Sequence, residues 1–455
     1  MNDGSHFNDW EKSLPKTVFI KTFGCQMNEY DTDRMFSGLA QTGWKRVDSP
    51  EQAGLIVINT CSVRDKAQQK AFSEIGRMRN HKKNDVVLVV TGCIAQQEGK
   101  QLLARFPEVD LVIGTSRISS LPMIIDKFII GHRHRISDTV MDTSEFFGFA
   151  PGDIQTFFPN DSRTSAFVAI MTGCNNFCSY CVVPYVRGSE RSRPPEDVIR
   201  EIRELAEIGI KEVTLLGQNV NSYGSYPNFG ISFAELLEMV AQIEQIQRIR
   251  FTTSHPKDLS EDLVEAFSEI DKLCNHLHLP IQSGSDKILT AMNRGYSSAD
   301  YMDKIQILRK ANPEIAITSD IIVGFPQETD KDFEDTLDVI RQMQFAGVFA
   351  FKYSPRPRTK AADFEDDVPV KEKNRRLGLV LKTQEALNWK WRRSMVGNSF
   401  SVLVEGPGVG KNGLWTGRTS TSCIVHFPQT NIMPGDIVNV RITDALANSV
   451  RGEVE

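Results

Sequence analysis

The stretch TGCNNFCSYCVVPYVRG, residues 172–188, carries three cysteines spaced as Cys174-x-x-x-Cys178-x-x-Cys181. Three thiols so close together in a glycine-led loop point to a shared metal centre. A zinc knuckle wants four ligands, usually from paired C-x-x-C units, and no fourth Cys or His is local, since the next candidate is His255. A cubane 4Fe–4S cluster takes one thiolate per iron, so three thiolates hold it with one iron left open. An open iron makes the site chemical and not merely electron-carrying.

Outward from this loop, residues 164–354 alternate short apolar strands (SAFVAIM, VTLLGQN, RIRFTT, HLHLPIQ, IAITSDIIVGF, GVFAFKYS) with amphipathic helices such as PPEDVIREIRELAEIG and TDKDFEDTLDVIRQM. Pro194-Pro195 before an acidic first turn, and Ser or Asp at other starts, are helix N-terminal signals. Six β/α units with right-handed crossovers predict an incomplete barrel, whose active site lies at the carboxyl ends of its strands. The cysteine loop follows the first strand, at that end. Polar groups follow later strands there: Gly217-Gln218-Asn219, Thr253-Ser254-His255, Gln282-Ser283-Gly284 and Asp320.

On the amino-terminal side, TVFIKTFG (17–24), LIVINT (55–60) and VVLVVTG (86–92) are apolar runs followed directly by Cys25, Cys61 and Cys93, while LVIGT (111–115) has no Cys after it. Nearly all-apolar strands alternating with helical segments predict a parallel α/β sheet, in which residues beyond the carboxyl ends of neighbouring strands share one crevice. Three scattered cysteines then become one three-thiolate site and a second cluster with an open iron. The alternative is three unrelated buried thiols. Cys274 and Cys423 have no partner pattern and read as ordinary core or surface residues.

The chain has 455 residues, 53 Lys+Arg against 58 Asp+Glu and a net charge of −5. Length suggests about three domains, and an ordinary globular composition excludes disorder, collagen and a disulfide miniprotein. The polar opening MNDGSHFNDWEKSLPK shows no signal peptide, and no apolar run is long enough to span a bilayer, so a cytoplasmic protein with reduced or metal-bound cysteines is expected. The mild net acidity hides local contrast. KYSPRPRTK (352–360) is +4, AADFEDD (361–367) is −4, and the helical KEKNRRLGLVLKTQEALNWKWRR (371–393) is +6. That helix reads either as a solvated connector or as a strip contacting phosphates. From about 395, short alternating strands with glycine turns predict a small β-barrel.

The Cys174–Cys181 pattern, with Tyr180 before the last Cys, resembles the radical S-adenosylmethionine (SAM) motif. The resemblance implies that the open iron chelates SAM and that Tyr180 lies against its adenine. By the same analogy Gln218, Ser254, Gln282 and Asp320 are SAM-contact candidates. Gly217-Gln218-Asn219 departs from the Gly-Gly-Glu-like motif of that superfamily, although the Gln218 carbonyl can still accept a hydrogen bond. The terminal barrel resembles the TRAM domain, an OB-like RNA-binding module. It is slightly acidic here, so its contacts would be stacking and a few placed arginines, with Trp415 and Arg418 the candidates, joined by Arg356, Arg358, Lys390, Arg392 and Arg393 upstream.

The order of parts resembles the methylthiotransferase family over essentially the whole chain. It implies an α/β protein with a flexible N-terminus (1–16), a parallel α/β domain with an auxiliary cluster (17–150), a partial (β/α)6 radical SAM barrel ending in the basic helix (160–390) and a TRAM barrel (394–455). The segments KTFGCQMNEYD (21–31), INTCSVRDKA (58–67), TGCIAQQEG (91–99), FTTSHPKDLS (251–260), LPIQSGSDKIL (279–289) and DIIVGFPQET (320–329) look like the tRNA branch. Gln26-Met27-Asn28 stands where a branch acting on ribosomal protein S12 shows Pro-Lys-Asn and one acting on threonylcarbamoyl-adenosine shows Lys-Val-Asn. The family implies two 4Fe–4S clusters on Cys25/Cys61/Cys93 and Cys174/Cys178/Cys181, two SAM molecules, and methylthio transfer to carbon 2 of an isopentenylated adenosine at tRNA position 37. It also implies the tRNA anticodon loop, a reductant such as flavodoxin or ferredoxin and an Fe–S or sulfur delivery protein as partners, with no membrane, and a monomer. The rival from another class is a non-catalytic Fe–S or zinc RNA-binding protein.

Overall fold

The computed structural model describes residues 15–62, 65–82, 86–130, 134–142, 148–158, 163–408, 413–429 and 431–455, with backbone alone at 65–67 and 157. The expected flexible N-terminus lies outside these residues up to position 14, as do positions 63–64 of the INTCSVRDKA segment. The chain forms two compact units. The first comprises 1–157, 172–175 and 181–190, and the second 158–171, 176–180 and 191–455.

The first unit is a six-stranded sheet built from β1 (Thr17–Thr22), β2 (Lys45–Arg46), β3 (Leu55–Thr60), β4 (Val87–Gly92), β5 (Leu111–Ile113) and β6 (Ile136–Asp138). Its order is β2-β1-β3-β4-β5-β6 and every pairing is parallel. Helices α1 (Gln26–Gln41), α2 (Asp65–Met78), α3 (Cys93–Glu98), α4 (Lys100–Arg105), α5 (Leu121–Ile130) and α6 (Asp153–Phe157) complete it, with α7 (Val183–Arg187) supplied by the 181–190 segment. Period-2 geometry splits each apolar strand between two cores. Leu55 and Val57 face Met35, Leu39, Ile125 and Phe128, while Ile56 and Ile58 face Ala71, Ile75 and Leu102. Burial on both faces is why these strands read as continuous apolar runs. Strand order reverses between β1 and β3, which marks the crevice beyond their carboxyl ends as the switch point where such sheets bind ligands.

In the second unit, β7 (Ser165–Ala169) is followed by β8 (Met171–Thr172) and β9 (Arg191–Ser192), short strands that flank the cysteine loop in sequence. Then come β10 (Glu212–Leu216), β11 (Arg248–Phe251), β12 (His276–His278), β13 (Ala316–Val323) and β14 (Gly347–Lys352). The sheets β11-β10-β7 and β12-β13-β14 are wholly parallel, and a parallel bridge from Ile249 to Leu273 continues one towards the other. This is the expected open barrel of six strands. Its helices are α8 (Pro195–Glu207), α9 (Phe233–Ala241), α10 (Glu261–Glu269), α11 (Asp286–Ala291), α12 (Ser298–Ala311) and α13 (Asp330–Met343). Capping boxes close the starts of α9, α12 and α13 through Ser232/Glu235, Ser297/Asp300 and Thr329/Asp332.

The 25-residue α14 (Val370–Ser394) leads into a closed antiparallel-rich barrel of β15 (Ser399–Pro407), β16 (Leu414–Thr419), β17 (Ile424–Pro428), β18 (Ile437–Ala445) and β19 (Val450–Val454). Two buried arginines join it to the larger barrel. Arg248 donates to the carbonyls of Arg418 and Ser401, and Arg250 to those of Thr419 and Ser420 at 2.7 and 2.9 Å. Glu212 pairs with Arg250 at 2.9 Å. Both arginines lie on β11, and Glu212 opens β10. The small barrel therefore docks at the amino-terminal end of these strands, opposite the end from which the site residues project.

Trp415 lies in the core of the small barrel, packed with Val402, Val404, Phe427 and Val440. Trp415→Ala is expected to destabilise that barrel by ~3–5 kcal/mol, seen as an early denaturant transition in tryptophan fluorescence and circular dichroism.

Candidate cluster and cofactor sites

Three strand ends converge at the switch point of the first sheet. Cys25 caps α1, Cys61 follows β3 and Cys93 opens α3 directly after β4. Gly24 and Gly92 make this possible. Gly24 has φ +116, and a Cβ there would lie 2.0 Å from Cys61 Cβ; Gly92 has φ +91, and its Cβ would meet Thr60 O at 2.3 Å. Asn28 clasps the strand ends, its Nδ2 donating to Phe23 O at 2.8 Å and Thr60 O at 2.9 Å. Asn59 Nδ2 in turn donates to Asn28 O at 2.8 Å.

The thiols form one electrostatic group. A hydrogen bond with Cys61 holds the Cys25 thiol below its ordinary value, at about 6, against burial and with help from the charge of Arg187. Burial raises Cys93, while Arg187 acts the other way. Arg187, from α7, is itself buried; its Nη2 lies 2.9 Å from Asn28 Oδ1 and 2.8 Å from Asp31 Oδ2. Three clustered thiols, one already favoured as thiolate, beside a buried cation suit an anionic iron–sulfur cluster. Among the described residues no three His, Cys, Asp or Glu side chains close on one point as ligands of a single ion. A cubane asks instead for one thiolate at each of three irons.

Of the second triad, Cys174 and Cys181 belong to the first unit and Cys178 to the second. In the first unit Cys174 N donates to Gly188 O at 3.2 Å. In the second, the loop's middle is pinned by Ser179, whose N donates to Met292 O and whose Oγ donates to Ala291 O, and by Asn293, which donates to the carbonyls of Asn176 and Phe177. Arg294, fully enclosed, points Nη1 at Cys178 Sγ (3.3 Å) and the Tyr180 hydroxyl (3.4 Å). Its Nη2 donates to Pro280 O at 2.8 Å and its Nε to the Tyr296 hydroxyl at 2.8 Å. The Tyr180 ring is half-buried against Ile288, Met292, Phe325 and Tyr353.

Of the remaining SAM candidates, Gln218, Ser254 and Gln282 lie beyond the carboxyl ends of β10, β11 and β12, whereas Asp320 lies within β13 and not after it. Gln218 is half-buried beyond β10, and Gln282 (φ +76) is bridged to β13 by backbone. Asp320 lies on β13 with Oδ2 at 3.6 Å from His278 Nε2, on the face that also carries Thr318 and Phe349. Ser254 is buried, and its Oγ, Asn219 Oδ1 and His255 Nε2 have no hydrogen-bond partner among the described residues. Buried polar atoms without protein partners at the mouth of the barrel suit a polar ligand. Burial, helped by Arg294, Lys257 and Lys304, pushes His255 down to about 2, so it is neutral there.

The RNA-contact candidates divide. Arg358, Lys390 and Arg393 are exposed, Arg356 is half-buried, and Arg393 stacks over Trp389 at 5.0 Å. Arg418 is ion-paired to Glu405 at 2.9 Å. Two candidates are corrected. Trp415 is a core residue with no free face for a base, and Arg392 is buried, donating to Ala447 O. The basic strip is also thinner than its +6 suggests. Lys373 pairs with Asp366, Arg375 with Glu372, and Arg376 with Glu328 at 2.7 Å.

Sequence reasoning missed Asn28, Asp31, Arg187 and Arg294. Arg187 stood inside the opening stretch as the VRG that follows Cys181, but nothing local distinguishes a buried arginine from a surface one. Arg294 gave no signal at all.

The fold and its two cysteine triads define a radical SAM protein with an added thiolate site and an OB-like barrel. Its residues match family models described as uncharacterized protein family UPF0004 (17–114), radical SAM superfamily (168–340) and TRAM domain (393–454). The chain is 47% identical over 441 residues to the tRNA-2-methylthio-N(6)-dimethylallyladenosine synthase of Syntrophus aciditrophicus, covering 96% of this chain and 94% of that one. It is 46% identical to the same enzyme of Syntrophobacter fumaroxidans, over 97% and 96%. The chain belongs to the tRNA-2-methylthio-N(6)-dimethylallyladenosine synthase family. In fold it is similar to the radical SAM methyltransferase TsrM of Kitasatospora setae, solved with cobalamin and a [4Fe-4S] cluster (TM-score 0.56, 14% identity, 87% of this chain and 82% of that one).

Gly24→Ala is expected to lower iron uptake at the Cys25/Cys61/Cys93 site in a chain lacking the other triad, measured by iron and sulfide analysis after reconstitution. A pH effect follows from His255. Its folded value, near 2, lies below the ordinary 6.5, so the unfolded chain binds the proton first and stability falls as pH drops below about 6.5. His255→Gln should flatten that acid limb in thermal midpoints recorded from pH 7 to 4.

Proposed function

We propose that the chain installs a methylthio group on carbon 2 of N6-isopentenyladenosine at tRNA position 37, consuming two SAM molecules and using two 4Fe–4S clusters. The observation that carries this reading is the gathering of Cys25, Cys61 and Cys93 at one switch point in a chain that also holds the Cys174/Cys178/Cys181 loop. An unactivated aromatic carbon offers no acid, base or leaving group, so side-chain proton transfer alone does not suffice. When bound, the clusters and SAM supply sulfur, a methyl group and one-electron chemistry.

The chain's own part is to bind and orient. Each triad leaves one coordination position free. Arg294 fixes Cys178 and Tyr180 relative to the strand ends, and Gln218, Ser254, Gln282 and Asp320 offer polar contacts to SAM, with His255 as a neutral neighbour. Arg358, Lys390 and Arg393 contact the RNA backbone, with Arg356 and Arg418 as weaker contributors, and the base reaches the barrel splayed out of the anticodon loop. Functional parts divide as 17–150, 160–390 and 394–455. The protein works as a cytoplasmic monomer with a flavodoxin- or ferredoxin-type reductant and an Fe–S or sulfur delivery protein. Among the described residues no helix is long and apolar enough to cross a membrane.

Reconstituted protein should hold about eight irons and convert isopentenylated tRNA to its methylthio form, read by nucleoside mass spectrometry. Methylthio gain only on threonylcarbamoyl-adenosine or on ribosomal protein S12, or zinc without sulfide, would sink the reading. Cys174→Ala should abolish 5′-deoxyadenosine release, whereas Cys25→Ala should keep SAM cleavage and lose thiolation. Identical behaviour of the two variants would contradict this division of labour.

A further inference from the structure

We propose that Arg187 is the positioning residue and counter-cation of the Cys25/Cys61/Cys93 site, a role that rests on the cluster reading above. Its guanidinium is anchored by Asn28 Oδ1 at 2.9 Å and Asp31 Oδ2 at 2.8 Å, at the end of the helix that packs on Cys93, and its charge acts on the Cys25 and Cys93 thiols. Asn28 is the residue that clasps the ends of β1 and β3, so the same side chain that closes the thiol pocket also aims the cation into it.

The charge arrangement asks for an anion. Asp31 is shared between Arg187 and Arg34, the second contact at 3.5 Å, so Arg187 does not have the carboxylate to itself. Both Arg187 and Asp31 are almost fully enclosed. Burying a guanidinium is unfavourable unless its donors and its charge are both met. Three thiolates on an iron–sulfur core bring net negative charge into the same enclosed space, and Arg187 offsets it. The fork geometry matters as much as the charge, because one guanidinium can hold Asn28 and Asp31 and still present donors to sulfur. Donors and charges just outside the ligand shell set how a metal centre is held and at what potential it is reduced.

The backbone adds a link. Arg187 ends α7, six residues after Cys181, and α7 packs on α3 through Val182, Val186 and Cys93. A single short segment therefore carries one ligand of the SAM-cluster triad and the cation of the auxiliary one.

The test uses the full chain with Cys174, Cys178 and Cys181 changed to Ala, leaving one triad to load. After reconstitution with iron and sulfide this parent should hold about four irons; a parent that takes up none overturns the cluster reading and, with it, this proposal. In a loaded parent, potentials are read by redox titration with electron paramagnetic resonance, and cluster retention by the rate of iron loss to a chelator. Arg187→Gln should move the potential to more negative values and speed iron loss several-fold. Asp31→Asn, which removes the opposing charge, should move the potential to more positive values. The double variant should return towards the parent, and Arg187→Lys should lie closer to the parent than Arg187→Gln. A merely structural Arg187 gives no opposed signs, so shifts in one direction for both single variants, or no shift in either, overturn the proposal. If Arg187→Gln does not fold, an unmoved potential in Asp31→Asn overturns it alone.

Discussion

A parallel sheet delivers whatever follows its strands to a single edge, and the first unit depends on that constraint. β1, β3 and β4 run side by side in the same direction, so residues at 25, 61 and 93 meet although dozens of positions separate them in sequence. The meeting is close enough that neither Gly24 nor Gly92 tolerates a side chain. It is held by hydrogen bonds from the Asn28 side-chain amide to the carbonyls of Phe23 and Thr60, which means the thiol pocket and the local backbone stand or fall together. The carbonyls of Phe23 and Thr60, where the strands end, are thereby satisfied.

The second unit solves a different problem. An open barrel keeps two edge strands, here β7 and β14, that a closed barrel would pair. At the amino-terminal end, Arg248 and Arg250 reach carbonyls of the terminal barrel, with Glu212 sharing the charge of Arg250. Guanidiniums suit this task because one side chain satisfies two carbonyls on a neighbouring element. The small barrel thus serves as a floor for the large one, and its tryptophan is spent on its own core. At the carboxyl-terminal mouth, Ser254 Oγ, Asn219 Oδ1 and His255 Nε2 are buried without a hydrogen-bond partner among the described residues.

Charge was the poorest guide to chemistry. The helix 371–393 reads as a +6 strip, yet Lys373, Arg375 and Arg376 are bound to carboxylates from 328–330, 366 and 372. Acidic neighbours that look like a separate cluster in the sequence are the partners of that strip in space. What remains for a polyanion is its later half, around Lys390 and Arg393. The two arginines with the clearest relation to cysteine, Arg187 and Arg294, are in turn invisible to any charge count, because each is buried where only its partners identify it.

Much of the architecture was determined by the sequence alone. Apolar runs ending in Cys25, Cys61 and Cys93, six alternating strands and helices from 164 to 354, the helix start at Pro194-Pro195, and short glycine-punctuated strands after 395 all express local preferences or hydrophobic periods, which depend on near neighbours in the chain. The cysteine spacing at 174, 178 and 181 was equally legible, because ligands of one cluster within one loop must be close in sequence. Tertiary structure alone decided which polar residues stand behind the sulfurs, that Trp415 and Arg392 are internal, and which charges cancel. Those outcomes rest on contacts between residues tens to hundreds of positions apart, such as Arg187 with Asn28, Arg250 with Thr419 and Arg376 with Glu328. A long-range hydrogen bond leaves no period and no composition in the chain, so only the folded geometry reveals it.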